Sequence, residues 1–127
     1  MADRMWFEKI RTLLLGHTII AGSFAPNGSS ALVATSTFGR GFTVARTSAG
    51  LFTITLGDKY AKMVGATYAL QLATGDDKFV QFGTYVAASK TLELRAWDVS
   101  AAAVADIAAN ANNRIHFALH MSNSGVD

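Results

Sequence analysis

The spacing of apolar side chains changes once along the chain, near Thr18. Ahead of it, Met5, Trp6, Phe7, Ile10, Leu13 and Leu14 recur at intervals dominated by three and four, while Arg4, Glu8, Lys9 and Arg11 fill other positions. That period gathers most of the apolar set on one face of a helix, so residues 1–17 are expected to form a short amphipathic helix or arm. From Thr18 onward the period is two, the mark of strands with one buried face.

Thr18–Phe24 reads as a first strand, and Pro26-Asn27-Gly28-Ser29-Ser30 behind it is dense in turn formers. A polar connection then runs to Gly39. Gly41–Thr47 and Leu51–Leu56 are β-branched, aromatic-rich runs joined by Ser48-Ala49-Gly50, where Gly50 can supply the positive φ of a three-residue hairpin loop. Met63–Ala73 alternates, with Val64, Ala66, Tyr68, Leu70 and Leu72 opposite Gly65, Thr67, Ala69, Gln71 and Ala73. Gly75-Asp76-Asp77 turns the chain into Lys78–Val86, where Val80, Phe82 and Val86 oppose Phe79, Gln81, Gly83 and Tyr85. Ala87–Lys90 turns it again into Thr91–Asp98. Ala101–Asn113, rich in Ala and Asn, reads as a loop or a short helical turn. Arg114–Met121 closes the pattern, with Ile115, Phe117, Leu119 and Met121 on one face and Arg114, His116, Ala118 and His120 on the other.

Seven strands at near-regular spacing, without helical crossovers between most of them, predict an all-β fold. The expected architecture is one antiparallel β-sandwich or jelly roll over residues 18–127, preceded by the arm.

Composition narrows the functional classes. Half of the 127 residues are hydrophobic, enough for a core without covalent staples, and the absence of Cys excludes disulfides, thiolate metal sites and thiol nucleophiles. Only 16% of residues are charged, against about a quarter in ordinary domains, so much of the surface must be small and uncharged. Such surfaces suit permanent contacts between subunits. Eleven bases against nine acids, spread along the chain, form no stripe for a phosphate backbone, and nucleic acid is not an expected partner. The most apolar run, Leu13–Gly22, is interrupted by His17 and far shorter than the roughly 20 residues that span a bilayer. No membrane anchor is expected, and Asp3 and Glu8 argue against a cleaved signal peptide.

The candidate chemistry is sparse. His116 and His120 share a strand face but lie about 13 Å apart along it, too far to hold one ion. Only a threefold axis bringing one His from each of three chains would avoid that objection. Asp76 and Asp77 read as a solvated turn, and Asp58, Asp98 and Asp106 fall in loops or at strand ends. No nucleophile elbow, phosphate loop or dinucleotide fingerprint occurs. Gly39-Arg40-Gly41 reads as a bulge or a tight strand entry. Phe79, Tyr85 and Trp97 are read as core packing first, and as an aromatic platform for a sugar second. Neither catalysis nor a cofactor is expected.

The run Gly41–Leu56, with Leu70-Gln71-Leu72-Ala73-Thr74 and Val104–Phe117, resembles small proteins encoded among the structural genes of tailed bacteriophages. The likeness covers Ile20 to the C-terminus. It implies a capsid decoration or cement protein, or alternatively a fibre or spike component; both roles share trimeric jelly-roll modules. The implied partners are the major capsid protein and the chain itself, as a homotrimer on the capsid surface of a virion assembled in the host cytoplasm. The spacing of hairpin, long strands and Asp-containing loop also resembles the trimeric jelly rolls of the tumour-necrosis-factor and complement-head type. No residue list comes with either likeness. The arm lies outside it, and its Trp6, Phe7, Ile10, Leu13 and Leu14 are the candidate partner interface. In the fibre alternative, loops near Asp76, Asn110 and Asn113 would meet a host-surface receptor or glycan.

Overall fold

The computed structural model describes residues 17–123, and in it the alternating segments become strands of two antiparallel sheets packed as a sandwich. One sheet is ordered β2 (Phe38–Gly39), β1 (His17–Phe24), β9 (Arg114–Ser122), β5 (Lys62–Gln71). The other runs β3 (Phe42–Ser48), β4 (Leu51–Leu56), β7 (Thr91–Asp98), β6 (Lys78–Val86). Its fifth strand, β8 (Ala103–Val104), pairs with Trp97 and Asp98 of β7, beyond the stretch of β7 that β4 covers. Residues 1–16 of the expected arm, its five apolar candidate residues among them, lie outside the described residues, and His17 belongs to β1.

Pairing is nested. β1 pairs β9 from His17↔Ser122 to Phe24↔Ile115, while β4 and β7, which lie between them in the chain, pair on the opposite sheet. The alternate residues of these strands meet between the sheets: Phe24, Phe52, Ile54, Leu56, Leu92, Leu94, Ile115, Leu119 and Met121 are all fully buried. Phe24 stands at the centre, its ring 5.0 Å from that of Phe52 and 6.4 Å from that of Phe117. Each such side chain contributes about 1.5–3 kcal/mol by leaving water.

Two bulges overturn parts of the predicted facing. The register of β5 shifts between Met63 and Gly65, so Met63 packs on the core and Val64, expected inside, is 45% exposed. A shift between Phe82 and Tyr85 likewise brings Tyr85 to the core side with Phe82 and leaves Val86 exposed. One extra residue in a strand changes the parity of everything after it, which alternation alone does not reveal. Tyr85 uses its new position: its hydroxyl donates to the Tyr60 carbonyl at 2.8 Å and accepts from the Tyr60 amide at 3.1 Å.

Gly39-Arg40-Gly41 is a strand entry, as expected, and it also carries the chain from one sheet to the other. Gly39 and Gly41 take φ of +125° and +86°, values that side chains with a Cβ rarely adopt. The crossing delivers Phe42, whose ring lies over Gly22, where any Cβ would overlap it, and edge-on to Phe117 at 5.0 Å. The Ala101–Asn113 segment is a loop that contains β8.

Candidate functional site

Outward positions of the four-stranded sheet form a low, nearly uncharged face. The register aligns Ile19, His120 and Gly65 in one row, Ala21, Ala118 and Thr67 in the next, and Ser23, His116 and Ala69 in a third. No carboxylate stands among them. Ile19, on the stretch of β1 that β2 does not reach, is 42% exposed. Gly65 leaves the space beside His120 open, since the nearest atom to an added Cβ would be the His120 Cβ at 3.8 Å. A trough of 420 Å³ follows, lined by Ile19, Gly65, Thr67, Ala118 and His120 among others, and a second of 250 Å³ continues past Ala69 and His116.

The polar groups on this face are largely engaged within the sheet. His116 Nε2 lies 2.9 Å from Gln71 Oε1. Arg114 donates from Nε to Ser23 Oγ at 3.0 Å and from its other end to the Ser36 carbonyl, and its guanidinium lies 3.8 Å from the centre of the Phe38 ring. One arginine thereby ties the 25–38 connection to the sheet edge, with Phe38 still 60% exposed. Broad, dry contact is what such a face can offer a partner.

Elsewhere the polar side chains hold the fold. Asp106 accepts from Arg46 Nε at 3.0 Å and from its terminal nitrogen at 2.9 Å, and also takes the Gly50 amide at 2.8 Å. The Arg46 hydrogen bonds hold the Asp106 carboxyl below its usual range, against the opposing pull of burial. Gly50 is needed here as much as in the hairpin: its φ is +68°, and a Cβ would come within 2.6 Å of Val104 and 2.7 Å of the Ala105 backbone. Asp98 is also held low, first by the Ala101 amide, then by the Ser100 hydroxyl and Lys78. Lys78 Nζ bridges Asp76 at 3.0 Å and Asp98 at 3.2 Å, so the acidic turn already holds a cation of its own.

Several candidates from the sequence separate in space. Phe79 and Trp97 do meet, as a cross-strand pair with ring centres 6.3 Å apart and planes tilted by 43°, but Tyr85 lies on the inner side of the sheet. Asn113 is buried, with Oδ1 accepting the Ala73 amide and Nδ2 donating to the Ala108 carbonyl, and Asn110 Oδ1 caps the Asn112 amide. His116 and His120 share a face, as read from the sequence. No group of three or more His, Cys, Asp or Glu suited to a metal ion occurs among the described residues. The Arg46–Asp106 and Arg114–Phe38 pairs carry no signal in the sequence, because their partners are distant in the chain and follow no motif. Comparison with protein-family models, with curated proteins and with solved structures finds no match to this chain.

Proposed function

We propose that this protein is a bacteriophage virion structural protein that decorates and stabilises the capsid shell as a homotrimer, acting through contact and not through catalysis. The observation that carries the reading is the outer face of the four-stranded sheet, with small side chains, no carboxylate and exposed Ile19. A stable interface buries about 800 Å² per partner and depletes charge at its centre, and this face has the composition to do so. The nested pairing of β1 with β9 and of β4 with β7 on opposite sheets supports the finer reading of the sandwich as a jelly roll. Its partners in this reading are the major capsid protein and further copies of the chain, with Trp6, Phe7, Ile10, Leu13 and Leu14 of the arm as anchors.

The test is the mass of the purified protein in solution, alone and then mixed with intact and undecorated phage heads. A trimer that saturates undecorated heads at a fixed ratio and raises their resistance to heat is the expected result; a protein that ignores heads sinks the proposal. Removing residues 1–15 should abolish decoration while the β domain stays folded.

A second reading, a trimeric fibre or spike module that binds a host-surface glycan, is favoured by the Phe79–Trp97 pair on the outward side of the five-stranded sheet. Binding to host cells with no binding to heads would select it.

A further inference from the structure

We infer that Asn27-Gly28 is a latent self-modification site which the fold keeps closed: its conversion to aspartate or isoaspartate proceeds only when the join between the 25–38 connection and the 105–113 loop opens. The inference goes beyond the assembly reading above and does not depend on it.

Asn27 is the one asparagine in the chain that glycine follows. A following residue without Cβ leaves its backbone nitrogen unshielded and free to turn towards the preceding side chain, which is what ring closure needs. Water is the only outside reactant. The Gly28 nitrogen gives up its proton and attacks Cγ of Asn27; the Cγ–Nδ2 bond breaks, and the side-chain nitrogen leaves as ammonia with that proton. One water then opens the five-membered imide at either carbonyl, to aspartate or to isoaspartate.

Both reacting groups are held in the folded chain. The Gly28 amide donates to the Ile107 carbonyl at 3.0 Å, and Asn27 Nδ2 donates to the Ala31 carbonyl at 2.9 Å. The main chain around them is fixed as well, with the Ser30 amide donating to the Asn27 carbonyl at 3.0 Å and Gly28 at a φ of +58°. Loss of an amide proton bound in this way waits on local opening, as hydrogen exchange does. The acceptor is firmly placed, because Ile107 is fully buried and Asn113 Nδ2 donates to the next carbonyl, that of Ala108, at 2.9 Å. Burial is not the protection. Asn27 lines an open cavity of 340 Å³ with Pro26, Val33, Ala109 and Ala111 among others, so water is at hand and the hydrogen bonds alone stand in the way.

Conversion runs one way. An ionised aspartate at this position has no hydrogen to give the Ala31 carbonyl and sets a charge beside the apolar wall of that cavity. Isoaspartate also lengthens the main chain by one methylene ahead of Gly28. Either product weakens the join that protected its precursor, so a chain that has once opened and reacted closes less well afterwards.

The experiment follows the full chain in mildly alkaline buffer, folded and in guanidinium chloride. Conversion is read as a gain of one mass unit on the peptide containing Asn27, with isoaspartate resolved by chromatography. The folded chain should convert at least tenfold more slowly than the unfolded one, and its Gly28 amide should be protected from exchange. Asn113→Ala, which frees the Ala108 carbonyl, should convert at a rate between the two while still folded. Asn27→Asp, the product without the reaction, should exchange its Gly28 amide faster than the unaltered chain. Equal rates in the folded and unfolded chains, or no conversion in the unfolded one, overturn the inference. An unchanged rate in folded Asn113→Ala, or unchanged Gly28 exchange in Asn27→Asp, overturns the coupling to the 105–113 loop and with it the lock.

Discussion

The outward positions of the five-stranded sheet hold Thr43, Thr53, Thr55 and Thr91, with the Glu93 carboxylate paired to Arg95 among them. The matching positions of the four-stranded sheet hold Ile19, Ala21, Gly65, Ala69 and Ala118, with Ser23, Thr67, His116 and His120 between them. Both sheets press equivalent apolar sides into one core, so the contrast does not come from folding. Away from the outward Phe79–Trp97 pair, hydroxyls and an ion pair keep water on the first surface at little cost. The second gives up water easily around Ile19, Ala21 and Ala118, and Ser23, Arg114 and His116 are hydrogen-bonded within the chain, which favours burying the face against a partner.

The sharpest way to break that contrast is a pair of matched charges. Ala118→Asp should convert the assembly to monomers by light scattering and remove head binding, whereas Thr53→Asp on the opposite sheet should do neither. If both dissociate the protein, or neither does, the two faces are not functionally different. A large effect of another kind is expected at Asn113. Asn113→Ala strands the Ala73 amide and the Ala108 carbonyl, each worth roughly 1–3 kcal/mol when left unpaired, and urea unfolding should register the loss while folded protein still assembles.

Acid supplies a smaller, graded test. Asp76, Asp98 and Asp106 all have lowered carboxyl pKa values in the folded chain. Their contribution is complete above the unfolded value of about 3.9 and disappears as pH falls through the lower folded values. Melting temperature should therefore hold near neutrality and drop below about pH 4, and Asp106→Asn should be less stable at pH 7 with a flatter profile in acid. The smallest effect is expected for Val64→Thr, within about 0.5 kcal/mol, because the bulge has turned Val64 to solvent. A core-sized loss there would mean that β5 is not bulged.

The strands that follow unbroken alternation are legible in the sequence. Ile115, Phe117, Leu119 and Met121 are inside as the period demands, and Gly50 sits in the hairpin loop with positive φ. The bulges at Met63/Gly65 and Phe82/Tyr85 are not, since an inserted residue looks like any other until its partner strand is known. β2 and β8, two residues each, are too short to show a period and exist because longer strands present backbone groups to pair with. For the candidate face, the small and polar side of Arg114–Met121 can be read directly. Its alignment with Ile19 and Ala21 on one side and Gly65 and Thr67 on the other follows from register, which depends on contacts between distant parts of the chain.

The same bulges have a consequence for solubility. Outermost strands with unpaired backbone groups invite sideways addition of another sheet, and a weakly charged protein has little repulsion to prevent it. In each sheet the boundary strands are broken up: β2 is two residues long, while β3, β5 and β6 each carry a register shift. Each irregularity shortens the straight ladder that an edge presents to a stray chain. Growth by endless strand addition is thereby made less favourable.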